Sequence, residues 1–90
     1  MSETVPVRFE VQAVLPVRGK GRLIAMARVE VEIAGVVVLL QGFRVQRRPD
    51  GGLECHAPAY RDLDGCWPPA VVLPDELAAA ISAEILETFR

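Results

Sequence analysis

Ninety residues are enough for one domain and no more. With 51 % apolar and 24 % charged residues and a mean hydropathy of +0.27, intrinsic disorder is excluded. The net charge of −2 hides an asymmetry: residues 1–48 carry eight bases against four acids, and residues 49–90 carry two bases against eight acids. A pI near 5.3 argues against strong non-specific attraction to nucleic acid or anionic lipid and leaves only a local basic patch in the first half.

Val5, Val7, Phe9, Val11, Ala13 and Leu15 alternate with Pro6, Arg8, Glu10, Gln12 and Val14. This period of two predicts a half-buried strand, and Pro6 assigns its start to a sheet edge. Pro16–Arg22 (P-V-R-G-K-G-R) is a glycine-punctuated loop. Leu23, Ala25, Ala27, Val29, Val31 and Ile33 then alternate with Ile24, Met26, Arg28, Glu30 and Glu32, which predicts a second strand. Ala34-Gly35 turns the chain into a third strand, Val36–Arg47. Two registers are open for this hairpin. A two-residue loop puts Arg44 on the face of Ala25, and a loop one residue longer puts Phe43 and Val45 there. The longer loop is preferred, because it leaves Arg28 and Arg44 on the face away from the helix.

Val36-Val37-Val38-Leu39-Leu40 is apolar on both faces, as is the start of the second strand at Ile24 and Met26. Such runs read as strands covered on both sides. One helix covers one side, so the other cover is expected to be a second copy of the chain. A chain this short removes only about 60 % of its unfolded surface from water, which favours the same expectation. The longest apolar run, Ala34–Leu40, is broken by Gly35 and is far too short for a membrane span.

Arg48-Pro49-Asp50-Gly51-Gly52 is a turn, with Pro pre-setting φ and Gly free to take positive φ. A fourth strand is predicted at Leu53–Ala57, ending at Pro58. The loop Ala59–Pro69 contains Asp64-Gly65, Trp67 and Pro68-Pro69, and Ala70–Leu73 is predicted as a short fifth strand. Pro74-Asp75-Glu76 opens a helix with proline near its first position and acids in its first turn. Leu77, Ile81, Ile85 and Phe89 form its apolar stripe. The predicted architecture is α+β: an antiparallel sheet of about five strands built from β-hairpins, one C-terminal helix, and a single domain over residues 1–90.

Cys55, His56 and Cys66 invite a metal reading, but zinc sites usually need four ligands, often with paired cysteines. Cys55 and His56 are strand neighbours and point to opposite faces, which also prevents a Cys–His catalytic pair. Ser2 and Ser82 are the only serines, and no nucleophile–base constellation is visible. The expectation is therefore no enzyme, no cofactor and no metal. Met1–Pro6 lacks the basic and apolar regions of an export signal, so the protein is expected in the cytoplasm with both thiols reduced.

Three groups could meet a polyanion. Arg18-Gly19-Lys20-Gly21-Arg22 is basic and glycine-rich but lacks the spacing of a P-loop, and it reads first as a solvated hairpin loop. Arg44, Arg47 and Arg48 run along one strand into the following turn. Tyr60 and Trp67 flank Arg61 and offer stacking surfaces for bases, although such aromatics often cap a small core.

From Gly21 onward the chain resembles the stage V sporulation protein G (SpoVG) family of small bacterial proteins. Gly21-Arg22-Leu23-Ile24-Ala25 is similar to its G-R-x-x-A start of the second strand, and Phe43-Arg44-Val45 to its I-R-V strand. Gly52-Leu53 through Pro58 is similar to its G-L-F-V-x-x-P segment. Arg61, Asp64-Gly65 and Trp67 follow at similar spacing, and Leu73-Pro74 stands where the family has a His-Pro pair before its C-terminal helix. The resemblance spans roughly residues 5–89. It implies a homodimer built on antiparallel strands, with the helix packed on the sheet, and a regulatory binder of DNA or RNA.

Two functional expectations follow. The first is a homodimeric nucleic-acid-binding regulator that uses Arg22, Arg44, Arg47, Arg48 and Arg61. The second is a dimeric interaction module without nucleic acid, presenting Tyr60, Trp67 and an acidic helix to a protein partner. The helix favours the second, since Pro74–Glu87 carries Asp75, Glu76, Glu84 and Glu87 and no base.

Overall fold

The structure is a computed structural model and describes residues 5–19 and 21–89. Strands β1 (Val7–Pro16), β2 (Leu23–Ile33), β3 (Val36–Arg47) and β4 (Leu53–His56) form one antiparallel sheet in the order β1-β2-β3-β4. Helix α1 (Asp75–Phe89) lies on one face of it, against β4 and β1. β2 and β3 begin and end where the alternation places them.

The β2–β3 register combines features of both sequence expectations. The loop is the short one: Ile33 pairs with Val36, and Ala34 and Gly35 take φ of 49° and 85°, as a two-residue type I′ turn requires. Phe43 and Val45 nevertheless face the core, paired with Ala27 and Ala25. The missing residue is supplied further along. Arg28 pairs with Gln41 and Ala27 with Phe43, so Gly42 is an unpaired bulge residue, at φ 94°.

β1 departs from its expected alternation for the same kind of reason. Val11 pairs with Val29 and Ala13 with Arg28, which makes Gln12 an extra residue and reverses the phase. Val7, Phe9 and Val11 face the helix side, but beyond the bulge it is Val14 that packs on the core, while Leu15 is 62 % exposed. The alternation through Ala13 and Leu15 is thus overturned.

The sheet has four strands. The expected fifth, Ala70–Leu73, does not form. Ala70 N–H donates to the Pro58 carbonyl (2.8 Å), next to an isolated bridge between Ala59 and Pro69, and no strand follows. Pro68, Pro69 and Pro74 remove backbone donors around this segment. β4 ends at His56, one residue short of the predicted end.

Ala25, Ala27, Val29 and Val31 of β2, Phe43 and Val45 of β3, and Ile81 and Ile85 of α1 form the buried core. α1 has 15 residues, about 22 Å of helix. β3 has 12 residues and runs about 40 Å. The helix therefore cannot reach the hairpin tip. On the helix side of the tip, Val7, Ile33, Val36 and Val38 remain exposed, and Val37 and Leu39 are exposed on the opposite face. Both faces of the apolar run are open to solvent within one chain.

Candidate nucleic-acid interface

The chain brings three of the five expected arginines together. Arg22 immediately precedes β2, and Arg47 ends β3 beside it. Arg47 N–H donates to the Arg22 carbonyl (2.8 Å), and Arg22 Nε donates to the Arg47 carbonyl (3.2 Å). Arg48 starts the turn into β4. Its N–H donates to the Gly52 carbonyl (2.8 Å), and its carbonyl accepts from Gly51 N–H (2.9 Å). Gly21, Arg22, Arg47, Arg48 and Pro49 line a shallow concavity of about 520 Å³ at this end of the sheet.

The three guanidinium groups are not equally free. Arg48 Nε lies 3.3 Å from Asp50 Oδ1, which also accepts the Gly52 N–H (2.8 Å). The Gly52 hydrogen bond first, and the Arg48 charge with it, holds the Asp50 carboxyl below its usual range. Arg48 is thus partly neutralised, while Arg22 and Arg47 make no ion pair among the described residues. The Arg48 guanidinium also lies across Gly52, where a Cβ would collide with it. A side chain at this position would displace the exposed Arg48 guanidinium rather than the backbone.

Arg44 sits three positions before Arg47 on the face away from α1, opposite Met26 on β2 and His56 on β4. Its Nε is buried without a hydrogen-bond partner. His56 Nε2 lies 3.1 Å from Glu54 Oε1 on the same face. Arg61 is not part of the cluster. β4 runs away from the Arg47–Arg48 end, and Arg61 lies beyond its far end in the loop that follows.

That loop is ordered by one side chain. Asp62 Oδ1 accepts from the N–H groups of Asp64 and Cys66 (2.9 Å each), and Asp62 N–H donates to the Cys66 carbonyl (2.9 Å). Tyr60 N–H donates to the Pro68 carbonyl (3.1 Å). These bonds place Arg61 opposite Trp67 in a small hairpin, with Tyr60 53 % and Trp67 62 % exposed. Leu63 at its tip is fully exposed.

Arg28 shares with Arg44 the face away from the helix, as the sequence predicts, and does not line the basic end. Arg28 occupies the open face of β2, with its Nε donating to Gln12 Oε1 (3.2 Å). The alternation of β2 puts Arg28 on the face opposite Ala27 and Val29. Gln12 reaches it because the β1 bulge falls there. Lys20 lies outside the described residues.

Cys55 faces the core, half-buried, with Ser82 hydrogen-bonded to it, and burial pushes its thiol up. His56 points to the other face, and Cys66 is an exposed free thiol in the Asp62 loop. Among the described residues no three His, Cys, Asp or Glu side chains gather at metal-binding distance, and no helix is long and apolar enough to cross a membrane.

No protein-family model, no curated protein and no solved structure matches this chain.

Proposed function

We propose that this protein is a homodimeric regulator that binds DNA or RNA through the end of its sheet formed by Arg22, Arg47 and Arg48. The observation that carries the reading is the meeting of these arginines around one open concavity, although they come from two separate parts of the chain. Guanidinium groups bind phosphate in bidentate fashion, and the bond from Arg22 Nε to the Arg47 carbonyl holds the Arg22 guanidinium in place before any ligand arrives, while the Arg47 N–H bond to the Arg22 carbonyl ties the two backbones together. Arg44 lies on the other face of β3 from Arg47 and stands apart from this end, and Arg61 with Trp67 supplies a separate cation and stacking surface. The resemblance to the SpoVG family supports the same reading. The dimer is supported by Val36–Leu39, exposed on both faces of the sheet.

Binding of labelled, pooled single- and double-stranded DNA and RNA at two salt concentrations tests this reading. Affinity should fall steeply with salt, since phosphate contacts release counterions. Absence of binding at low salt would overturn it. The second reading, a protein-interaction module, would then stand on the exposed Tyr60, Leu63, Trp67 and Val72 and the acidic face of α1.

A further inference from the structure

We infer that the face of the sheet turned away from α1 binds a small amphipathic anion, a carboxylate on a short hydrocarbon body, between Arg28 and Arg44. The inference goes beyond the proposed function. Neither arginine lines the basic end, and the site needs neither nucleic acid nor a second copy of the chain.

Two bulges fall at one place on β2. The extra residue of β1, Gln12, lies between the partners of Val29 and Arg28. The extra residue of β3, Gly42, lies between the partners of Arg28 and Ala27. Arg28 is therefore flanked by a bulge on each side, and bulges recur where a sheet re-aims a side chain beside a functional site. Gln12, freed from the ladder, accepts the Arg28 Nε hydrogen bond (3.2 Å) and fixes the plane of the guanidinium. Its terminal nitrogens form no ion pair among the described residues. Arg28 has only Ala13 beside it on β1, and Gly42 adds no side chain on β3. The result is a concavity of about 400 Å³ bounded by Leu15, Met26, Arg28, Gln41 and Gly42.

Its walls are of two kinds. Leu15 and Met26 are paired across β1 and β2, and both are exposed, which makes an apolar ledge. Arg28 pairs with Gln41 and Met26 with Arg44, so the two arginines stand diagonally across this ledge with the Gln41 carboxamide between them. Arg44 has no acid partner among the described residues, and its buried Nε has no acceptor. Glu54, on the same face of β4, lies 3.1 Å from His56 Nε2. A buried donor without an acceptor is rare in a folded chain, and a carboxylate seated beside Arg44 supplies one. Apolar walls with a few placed polar groups are the makeup of a small-molecule site.

The charge of the face selects the head and its direction. Towards the hairpin tip the same face carries Glu10, Glu30 and Glu32, and Glu32 is paired to Arg8. An anionic head is repelled from that end and drawn to Arg28 and Arg44, while the body lies over Leu15 and Met26. With Glu30 next to Arg28 along the face, a head with one negative charge fits better than a phosphate monoester, which carries nearly two. The planar fork of a guanidinium also matches a carboxylate.

Amide spectra of the full chain titrated with octanoate test the site. The resonances of Ala13, Leu15, Met26, Arg28, Gln41 and Gly42 should shift together and saturate, while those of Arg22, Arg47 and Arg48 stay in place. Arg28→Ala and Arg44→Ala should each weaken binding about tenfold or more, the loss expected for a hydrogen bond to a charged group. Arg28→Lys keeps the charge without the fork and should weaken it less. Acetate, a head without a body, and octylamine, the same body with the opposite charge, should give no saturable shift at the same concentrations. Absence of saturation by octanoate, saturation centred on Arg22 and Arg47, wild-type affinity in Arg28→Ala, or equal binding of octylamine overturns the site. Each outcome leaves the nucleic-acid reading to its own binding assay.

Discussion

Phe43 faces Ala27 across the β2–β3 ladder only because Gly42 stands unpaired between Phe43 and Gln41. Were Gly42 to take a place in the ladder, the two-residue turn would carry Arg44 to the position opposite Ala25, at the centre of the core. Gly42 holds φ at 94°, a region that L side chains enter with strain. A Cβ there would meet only Pro58, at an ordinary 3.7 Å. Gly42→Ala should therefore lose about 1–2 kcal/mol in urea denaturation through backbone strain alone. Deleting Gly42 closes the bulge and leaves Phe43 opposite Ala27, so that variant should still unfold cooperatively. Deleting Arg44 instead turns Val45 to the open face, and the cooperative transition should disappear.

Ile81 is fully buried where α1 meets the sheet. Ile81→Ala should cost about 2–5 kcal/mol, most of what a domain of this size holds in reserve. Ala80→Ser, on the exposed side of the same turn, should leave the denaturation midpoint within about 0.5 kcal/mol of wild type.

The ion pair between Arg48 and Asp50 ranks the three arginines of the basic end. In an equilibrium binding assay, Arg22→Ala with Arg47→Ala should weaken nucleic-acid affinity more than Arg48→Ala does. Each phosphate that a variant no longer neutralises on duplex DNA should also reduce the slope of log K against log salt by about 0.9. Asp50→Asn frees the Arg48 guanidinium and should tighten binding.

Asp50 is held below its usual pKa in the folded chain, mainly by the Gly52 N–H. A lowered folded pKa means that the group stabilises the turn above the unfolded carboxylate pKa and loses that effect as pH falls through the folded value. The pH dependence of stability in the acid range, near pH 4 and below, should flatten in Asp50→Asn relative to wild type. Urea midpoints taken through this range measure it.

Burial raises the Cys55 thiol, whereas Cys66 is exposed. A thiol-selective disulfide reagent at mildly alkaline pH should modify Cys66 at least about tenfold faster than Cys55 in the native protein, since the thiolate is the reacting form. In denaturant the two rates should converge.

Alternation made β2 legible from Ala25 to Ile33 because both its edges are paired and one face is buried along most of its length, whereas at its start a bulge at Ile24 turns Ile24 rather than Leu23 onto the core. The same rule failed in β1 and at the β2–β3 turn, where bulges at Gln12 and Gly42 each shift the phase by one residue. A bulge leaves little local mark in one sequence; a glycine after Gln41 is compatible with several backbones. The segment Ala70–Leu73 shows the reverse error: its residues favour a strand, but it is bracketed by Pro69 and Pro74 and pairs with no edge. At the basic end, Arg47 and Arg48 were legible as neighbours in sequence. Arg22 joined them only through the pairing of β2 with β3, which distance along the chain does not reveal. Arg61 was separated from the group because β4 carries the chain away from it.

The length of β3 sets the span between the basic ends of the proposed homodimer. Arg47 stands nine residues beyond Val38. At about 3.3 Å per residue, two chains that meet at their hairpin tips near Val38 and extend in opposite directions would hold their basic ends roughly 60 Å apart. That distance corresponds to roughly 18 base pairs along a duplex with 3.4 Å between successive phosphates of a strand. A shorter oligonucleotide would engage one end only, while a longer one would engage both and gain from the high effective concentration of the second contact. Affinity plotted against duplex length should then rise in a step near this span rather than in proportion to length.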